Sequence, residues 1–284
     1  MTMQAEGAPK RSLASRMGGF GSSMRGKFLD GVDTFGAMAI LAVGSLRFLS
    51  TDIIGRKFSW REFFDQCWFM TRVAFLPTVL VAIPFGIIIA VQVGAVAQQI
   101  GAVSFTGAVN GIGILRQAAP LVTSLLMAGA VGSAICAQLG AQTVREEVDA
   151  MKVMGLNPVQ RIVAPRVAAA MVVGFVLNIV VAVTAMMTGY ILNVGGGLVS
   201  SGAYLQSFVS FAQPTDLLLA EGKAVLFGFL ATIVAAHKGL NAKGGPKGVA
   251  DAVNQCVVIA VIVLSVVNVA ITQGYVMLVP TRIA

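Results

Sequence analysis

The sequence predicts an all-α membrane protein. Three observations lead there. Apolar residues make up 57% of the 284-residue chain and charged residues only 11%, against about 25% charged in a soluble domain. A chain so poor in charge cannot cover a water-facing surface. Five longer apolar runs follow one another, each long enough to cross a hydrocarbon core of about 30 Å as a helix. None has the strict alternation of a barrel strand, and only helices and closed barrels satisfy their backbone within lipid. The expected architecture is an N-terminal interfacial helix, about five transmembrane helices and one cytoplasmic helix between the second and third spans.

The elements follow in order. Residues 1–31 are basic, polar and rich in Gly and Ser, with no apolar core of a secretory signal, and read as a flexible cytoplasmic tail. Residues 32–68 form an interfacial helix and an elbow. Asp33 and Arg47 bracket an apolar stretch too short for an upright span, which suits a helix lying along the bilayer surface. The elbow mixes Arg56, Lys57 and Arg61 with Trp60, Phe63, Phe64 and Trp68, a composition of the headgroup boundary. Residues 69–284 hold the five spans, expected at 73–97, 118–139, 167–192, 217–236 and 257–279. Pro77 and Pro84 should bend the first. The fourth is the least clean, because it carries Glu221 and Lys223.

Lys and Arg set the orientation. The tail and elbow, the loop with Arg145, Lys152, Arg161 and Arg166, and the loop with Lys238, Lys243 and Lys247 all fall on one side of a five-span chain. The positive-inside rule makes that side cytoplasmic, with the C-terminus outside. The net charge of +8 caps apolar runs and is not interleaved with aromatics as in a nucleic-acid interface. The three cysteines, Cys67, Cys136 and Cys256, show no disulfide or metal spacing, and the single His237 excludes a multi-histidine metal site within the chain.

One hydrophilic stretch stands between spans two and three, "TVREEVDAMKVMGLNP". It predicts a helix over 143–157. Thr143 and Glu146 have capping-box spacing. Glu146, Glu147 and Asp149 suit the positive end of the helix dipole, and Gly155 and Pro158 end the helix. Val144, Val148, Met151 and Met154 share one face. That face could rest on the bilayer or the bundle, or enter a groove of a soluble partner.

The segment from Leu115 to Arg166 resembles the signature region of the MlaE/YrbE permeases, the membrane subunits of ABC-type lipid transporters that work with MCE proteins. The resemblance rests on Leu115-Arg116, Pro120, Ala128-Gly129, "GSA" at 132–134, Leu139-Gly140, "EEVDAMKVMGLNP" and "APR" at 164–166. "HKGLNAKGGPKGVADAVNQCVV" resembles the family's glycine-rich loop before its last span. The N-terminal part looks closest to the A-type subunit of paired actinobacterial YrbE proteins. By this resemblance the helix after span two is a coupling helix seated in an ATPase subunit. Its contacts would be Arg145, Glu146, Glu147, Asp149, Met151, Lys152, Met154 and Gly155. The chain has no G-x-x-x-x-G-K-[ST] phosphate loop, so ATP and Mg would be bound by that partner and no cofactor by this chain.

The resemblance also implies that spans one and five of two protomers border a lipid cavity. Phe85, Ile88, Val91, Gln92, Val261, Leu264, Ser265 and Asn268 are candidates. Charged groups within spans are costly and therefore functional candidates. Arg116 and Lys223 could contact lipid headgroups or the MCE partner, or could snorkel or pair with Glu221 or Asp216. Three charges common in the family are replaced here by Gln117, Ala130 and Gln138, which is consistent with a heterodimer of paralogues. The implied function is a non-catalytic permease subunit that moves lipid or fatty acid between a periplasmic MCE assembly and the inner membrane. Import is the direction the family implies. A secondary transporter or channel for a hydrophobic solute is the alternative, although paired intramembrane acids and internal repeats are absent.

Overall fold

A computed structural model describes residues 34–51, 55 and 58–278. The expected tail, Arg56 and Lys57 of the elbow, and the end of the last span at 279 lie outside them. Among the described residues the elements are helices: α1 (Thr34–Thr51), α2 (Trp60–Gln99), α3 (Val103–Val144), α4 (Glu147–Val153), α5 (Val159–Gly195), α6 (Ser201–Phe211), α7 (Pro214–Leu240) and α8 (Gly245–Leu278). Six of them, α1, α2, α3, α5, α7 and α8, are long and apolar enough to cross a membrane. This is a multi-pass α-helical membrane protein. The five longer spans stand where the apolar runs placed them, with longer ends. α1 reaches span length at 18 residues, with the lowest mean hydropathy of the six. It touches the bundle along one stripe, Met38, Leu41, Ala42 and Ser45.

Small residues set how closely the spans pack. On α2 the buried positions are Gln66, Met70, Ala74, Thr78, Ala82, Gly86, Ala90, Gly94 and Ala97. A four-residue repeat keeps them on one stripe of the helix, and that stripe runs along α5. The opposite face exposes Leu76, Leu80, Ile87, Ile88 and Val91. The helix continues unbroken through Pro77 and Pro84. Between α5 and α7 the contact is closer still. A Cβ on Gly174 would lie 2.7 Å from the Ala224 carbonyl oxygen, and one on Gly228 would collide with the Ala170 carbonyl. Both obstacles are backbone, which cannot swing aside. Gly228→Ala should therefore force α5 and α7 apart at a cost of about 1–3 kcal/mol, read as a lowered melting temperature of the purified chain. An unchanged melt would show that the seam is slack.

α3 lies at the centre of the bundle, two thirds buried over its most apolar window, whereas α2 and α8 are only about one fifth buried. Cys136 and Cys256 are both fully buried, and the Cys256 thiol reaches the Gly132 carbonyl oxygen at 3.8 Å. At 42 residues, α3 would extend about 63 Å, about twice the hydrocarbon core. Its first part, which the sequence left outside span two, packs against α6. Asn110 donates there to the Tyr204 hydroxyl at 2.7 Å. α3 also holds two π-helical turns, Ile114–Ala118 and Met127–Val131.

Candidate functional sites at the two ends of the bundle

The hydrophilic stretch does form a discrete helix, but it begins later than its capping-box spacing suggested. Thr143 still belongs to α3. Its hydroxyl donates back to the Leu139 carbonyl at 2.9 Å and lies 3.3 Å from that of Gly239, so it caps nothing. α3 ends at Val144, and the reversal into α4 is made at Glu146, whose φ of 61° is left-handed. It is the one non-glycine residue with positive φ among those described, a conformation uncommon outside glycine. Glu146 itself now stands at the N-cap of α4, and its side chain makes no capping hydrogen bond. α4 therefore spans seven residues, Glu147–Val153, rather than most of 143–157. Its C-terminus is as expected. Gly155 has φ 77°, its N–H donates to the Lys152 carbonyl at 3.0 Å, and the Leu156 N–H donates to that of Met151 at 3.0 Å. This is a Schellman closure.

The apolar stripe divides. Val148 is 4% exposed and Met151 packs against the core, whereas Met154 is 67% exposed. Beside Met154 stand Val153, 89% exposed, and Leu156, 46% exposed. The short helix thus anchors one side to the bundle and presents an apolar tip on the other. Glu147 accepts from Arg145 Nε at 2.8 Å, and Asp149 accepts from Lys152 Nζ at 2.8 Å. Arg145, Glu146, Glu147, Asp149, Lys152 and Gly155 are all exposed around that tip. Val153 and Leu156 were missed in the sequence because they lie off the helical stripe that was counted.

A second cluster ties α3, α7 and α8 together. Arg116, on the first π-turn of α3, donates from Nε to Asp216 Oδ1 at 2.8 Å and from Nη2 to Oδ2 at 3.0 Å. Asp216 is fully buried, while the Arg116 side chain stays 26% exposed. Of the partners the sequence offered for Arg116, the structure selects Asp216. The Tyr275 hydroxyl of α8 stands 3.5 Å from the same carboxylate, and its ring lies 6.0 Å from the guanidinium carbon. Lys223 is 1% exposed. Its ammonium donates to Thr272 Oγ1 at 2.7 Å and to the Arg116 carbonyl at 3.3 Å. Glu221 forms no ion pair among the described residues. It accepts at Oε1 from Asn178 Nδ2 at 3.0 Å, and Asn178 in turn accepts from Thr123 at 3.1 Å. Glu221 Oε2 is buried without a partner.

The remaining candidates are split between two helices. Phe85 is half-buried and Ile88, Val91 and Gln92 are exposed on α2. On α8 Val261 and Ser265 are half-buried, but Leu264 and Asn268 are 1% and 2% exposed and face the chain's own core. The four-residue repeat Cys256, Ala260, Leu264, Asn268 is the inner face of α8, and Val258, Ile262, Val266 and Val269 are the outer one. α2 and α8 share no extended packing within the chain. Gln92 lines an apolar space of about 390 Å³ shared with Val96, Ile100, Phe105 and Val109. A second apolar cavity, about 240 Å³, lies between Met187, Tyr190, Tyr204 and Phe208. Both sit at the end of the bundle away from α4.

The model of the family described as Permease MlaE matches residues 63–274. The chain belongs to the MlaE permease family. The matched region of this MlaE-family permease begins in the elbow and reaches into the last span, taking in α4 and all of the second cluster but Tyr275. A probable ABC transporter permease protein of Rickettsia felis is 31% identical over 199 residues, 70% of this chain and 77% of that protein. One of Synechocystis is 32% identical over 193 residues, 64% of this chain and 70% of that protein. The intermembrane phospholipid transport system permease protein MlaE of Haemophilus influenzae is 29% identical over 182 residues, 63% of this chain and 69% of that protein.

Proposed function

We propose that this chain is the transmembrane, non-catalytic subunit of an ATP-driven lipid transporter in the bacterial inner membrane, with its N-terminus and α4 in the cytoplasm. The observation that carries the reading is the apolar tip of α4. A seven-residue helix seated on the bundle by Val148 and Met151, and closed by Gly155, presents Val153, Met154 and Leu156 to water. An apolar tip ringed by charge at the end of a membrane bundle suits a groove in a soluble partner. The chain's lack of a phosphate loop makes a separate ATPase the natural partner. The names of its relatives, ABC permeases and a phospholipid transport permease, support both the partner and the cargo.

The lipid would enter from the opposite end, where the two apolar cavities lie. Arg116 keeps part of its side chain exposed and is the cation able to meet a headgroup in this conformation. Lys223 is enclosed and serves to join α3, α7 and α8. The uncovered apolar faces of α2 and α8 would be completed by a second protomer. Gln117, Ala130 and Gln138 replace charges common in the family, and Gln138 Oε1 is buried without a partner. A paralogous A-type and B-type YrbE pair, delivering lipid from MCE proteins, accounts for both features. The test is affinity purification of the tagged chain from its native membrane. A P-loop ATPase should accompany it, and charge reversal at Glu147 and Asp149 should deplete that ATPase at least tenfold. Purification without an ATPase would sink the proposal.

Lys223→Met supplies a further expectation. Its ammonium is held by a hydroxyl and a carbonyl and forms no ion pair with a carboxylate among the described residues. Loss of these bonds should cost about 1–3 kcal/mol, seen as a lowered melting temperature with the chain still folded. A melt lowered no further than in a surface variant would show that Lys223 joins nothing.

A further inference from the structure

A different cavity opens at the α4 end, of about 490 Å³, between the start of α2, the end of α3, α4 and the start of α5. Arg166 lines it at 2% exposure. One guanidinium nitrogen, Nη1, donates to the Ile162 carbonyl at 3.0 Å, while Nε has no partner. Gln142 also lines it, and its Oε1 is a buried acceptor without a partner. Two of the residues that line the cavity therefore carry a donor and an acceptor that no described residue satisfies, and each such group costs free energy when buried.

The charges around these atoms are of both signs. Arg61 and Arg161 join Arg166, and Glu62 and Asp65 stand on the α2 side. A simple anion would face two carboxylates, and a simple cation three guanidinium groups. A group carrying a phosphate and an ammonium a few bonds apart suits both. Guanidinium forks match phosphate oxygens. Carboxylates and an amide oxygen match the N–H donors of a primary ammonium. Trp60 lines the same cavity, is 60% exposed, and packs edge-on to Phe58 at 5.2 Å and Phe63 at 6.0 Å. Aromatic residues of this kind collect at the headgroup level of a bilayer.

We propose that this cavity binds a phosphoethanolamine group, carried by a phospholipid of the leaflet on the α4 side. It is separate from the Arg116–Asp216–Lys223 cluster and from the two apolar cavities at the other end. The ammonium must be unmethylated, because a trimethylated one has no N–H to offer Glu62, Asp65 or Gln142.

Trp68→Phe leaves Trp60 as the only tryptophan of the chain, so its fluorescence reads the cavity directly. The full-length variant in detergent would be titrated with short-chain phosphatidylethanolamine, phosphatidylcholine and phosphatidylglycerol, and with free phosphoethanolamine. Saturable binding of the ethanolamine lipid is expected, at least tenfold tighter than of the other two. Arg61→Gln and Asp65→Asn, both at exposed positions, should each weaken it about tenfold without moving the melting temperature. Free phosphoethanolamine should bind more weakly than the lipid. Equal binding of the free compound would overturn the bilayer as the source. Equal responses to all three lipids, or binding unaffected by the Arg61 and Asp65 variants, would overturn the site itself. Arg166→Gln should abolish binding; if that variant does not fold, the two exposed variants decide.

Discussion

Val153→Asp combined with Met154→Asp is expected to leave the bundle folded and to strip the ATPase from the purified complex. Both side chains are exposed and contribute nothing to the core, so the melting temperature of the isolated chain should not move. In a groove, each buried apolar anchor of this size is worth about 2 kcal/mol or more, more than tenfold in affinity, and a carboxylate in its place must also be desolvated. The double variant should therefore lose at least a hundredfold in ATPase affinity. The contrasting variant is Val148→Asp, which faces the bundle and should lower the melting temperature instead. If the two behave alike, the division of the α4 stripe into an inner and an outer half is mistaken.

Asp216→Ala is expected to be the most destabilising single change in the polar cluster. It removes both acceptors of the Arg116 guanidinium and leaves a cation, three quarters buried, between α3, α7 and α8. Breaking a buried ion pair from one side costs about 3–5 kcal/mol. The partial exposure of Arg116 lets water reach the abandoned charge and brings the figure towards the lower end. The checks are a thermal melt and proteolysis of the α6–α7 connection. Arg116→Leu with Asp216→Leu should be milder than Asp216→Ala alone, because no charge is left without a partner. If the double change is the worse of the two, the pair stabilises the fold outright.

The spans were legible in the sequence because lipid admits few alternatives. An apolar run long enough to cross, without strand alternation, must be a helix; α2, α3, α5 and α7 each contain the run that marked them, and α8 contains its run up to Leu278. What escaped was whatever depends on distant neighbours. The sequence offered Asp216 beside Glu221 as a partner for Arg116 but could not choose between them, because Arg116 and Asp216 stand 100 residues apart, and Tyr275, 159 residues away, went unnamed. The π-turn that carries Arg116 leaves no compositional trace. The Thr143 capping box failed for a physical reason: the spacing was right, but the same hydroxyl found a carbonyl four residues back inside α3. The anchor of α4 was readable from its apolar period. Its tip was not, because Val153 and Leu156 flank the helix end, where the period no longer applies.

ATP-driven transfer of a labelled phospholipid by the reconstituted permease–ATPase complex, with and without the Val153→Asp/Met154→Asp pair, tests the account most directly. The native complex should transfer lipid only when ATP is supplied. The variant should bind lipid as well as the native chain and transfer none above the ATP-free level. Lipid transfer that proceeds equally without ATP, or that survives in the variant, would contradict the reading of α4 as the element through which a separate ATPase drives the spans.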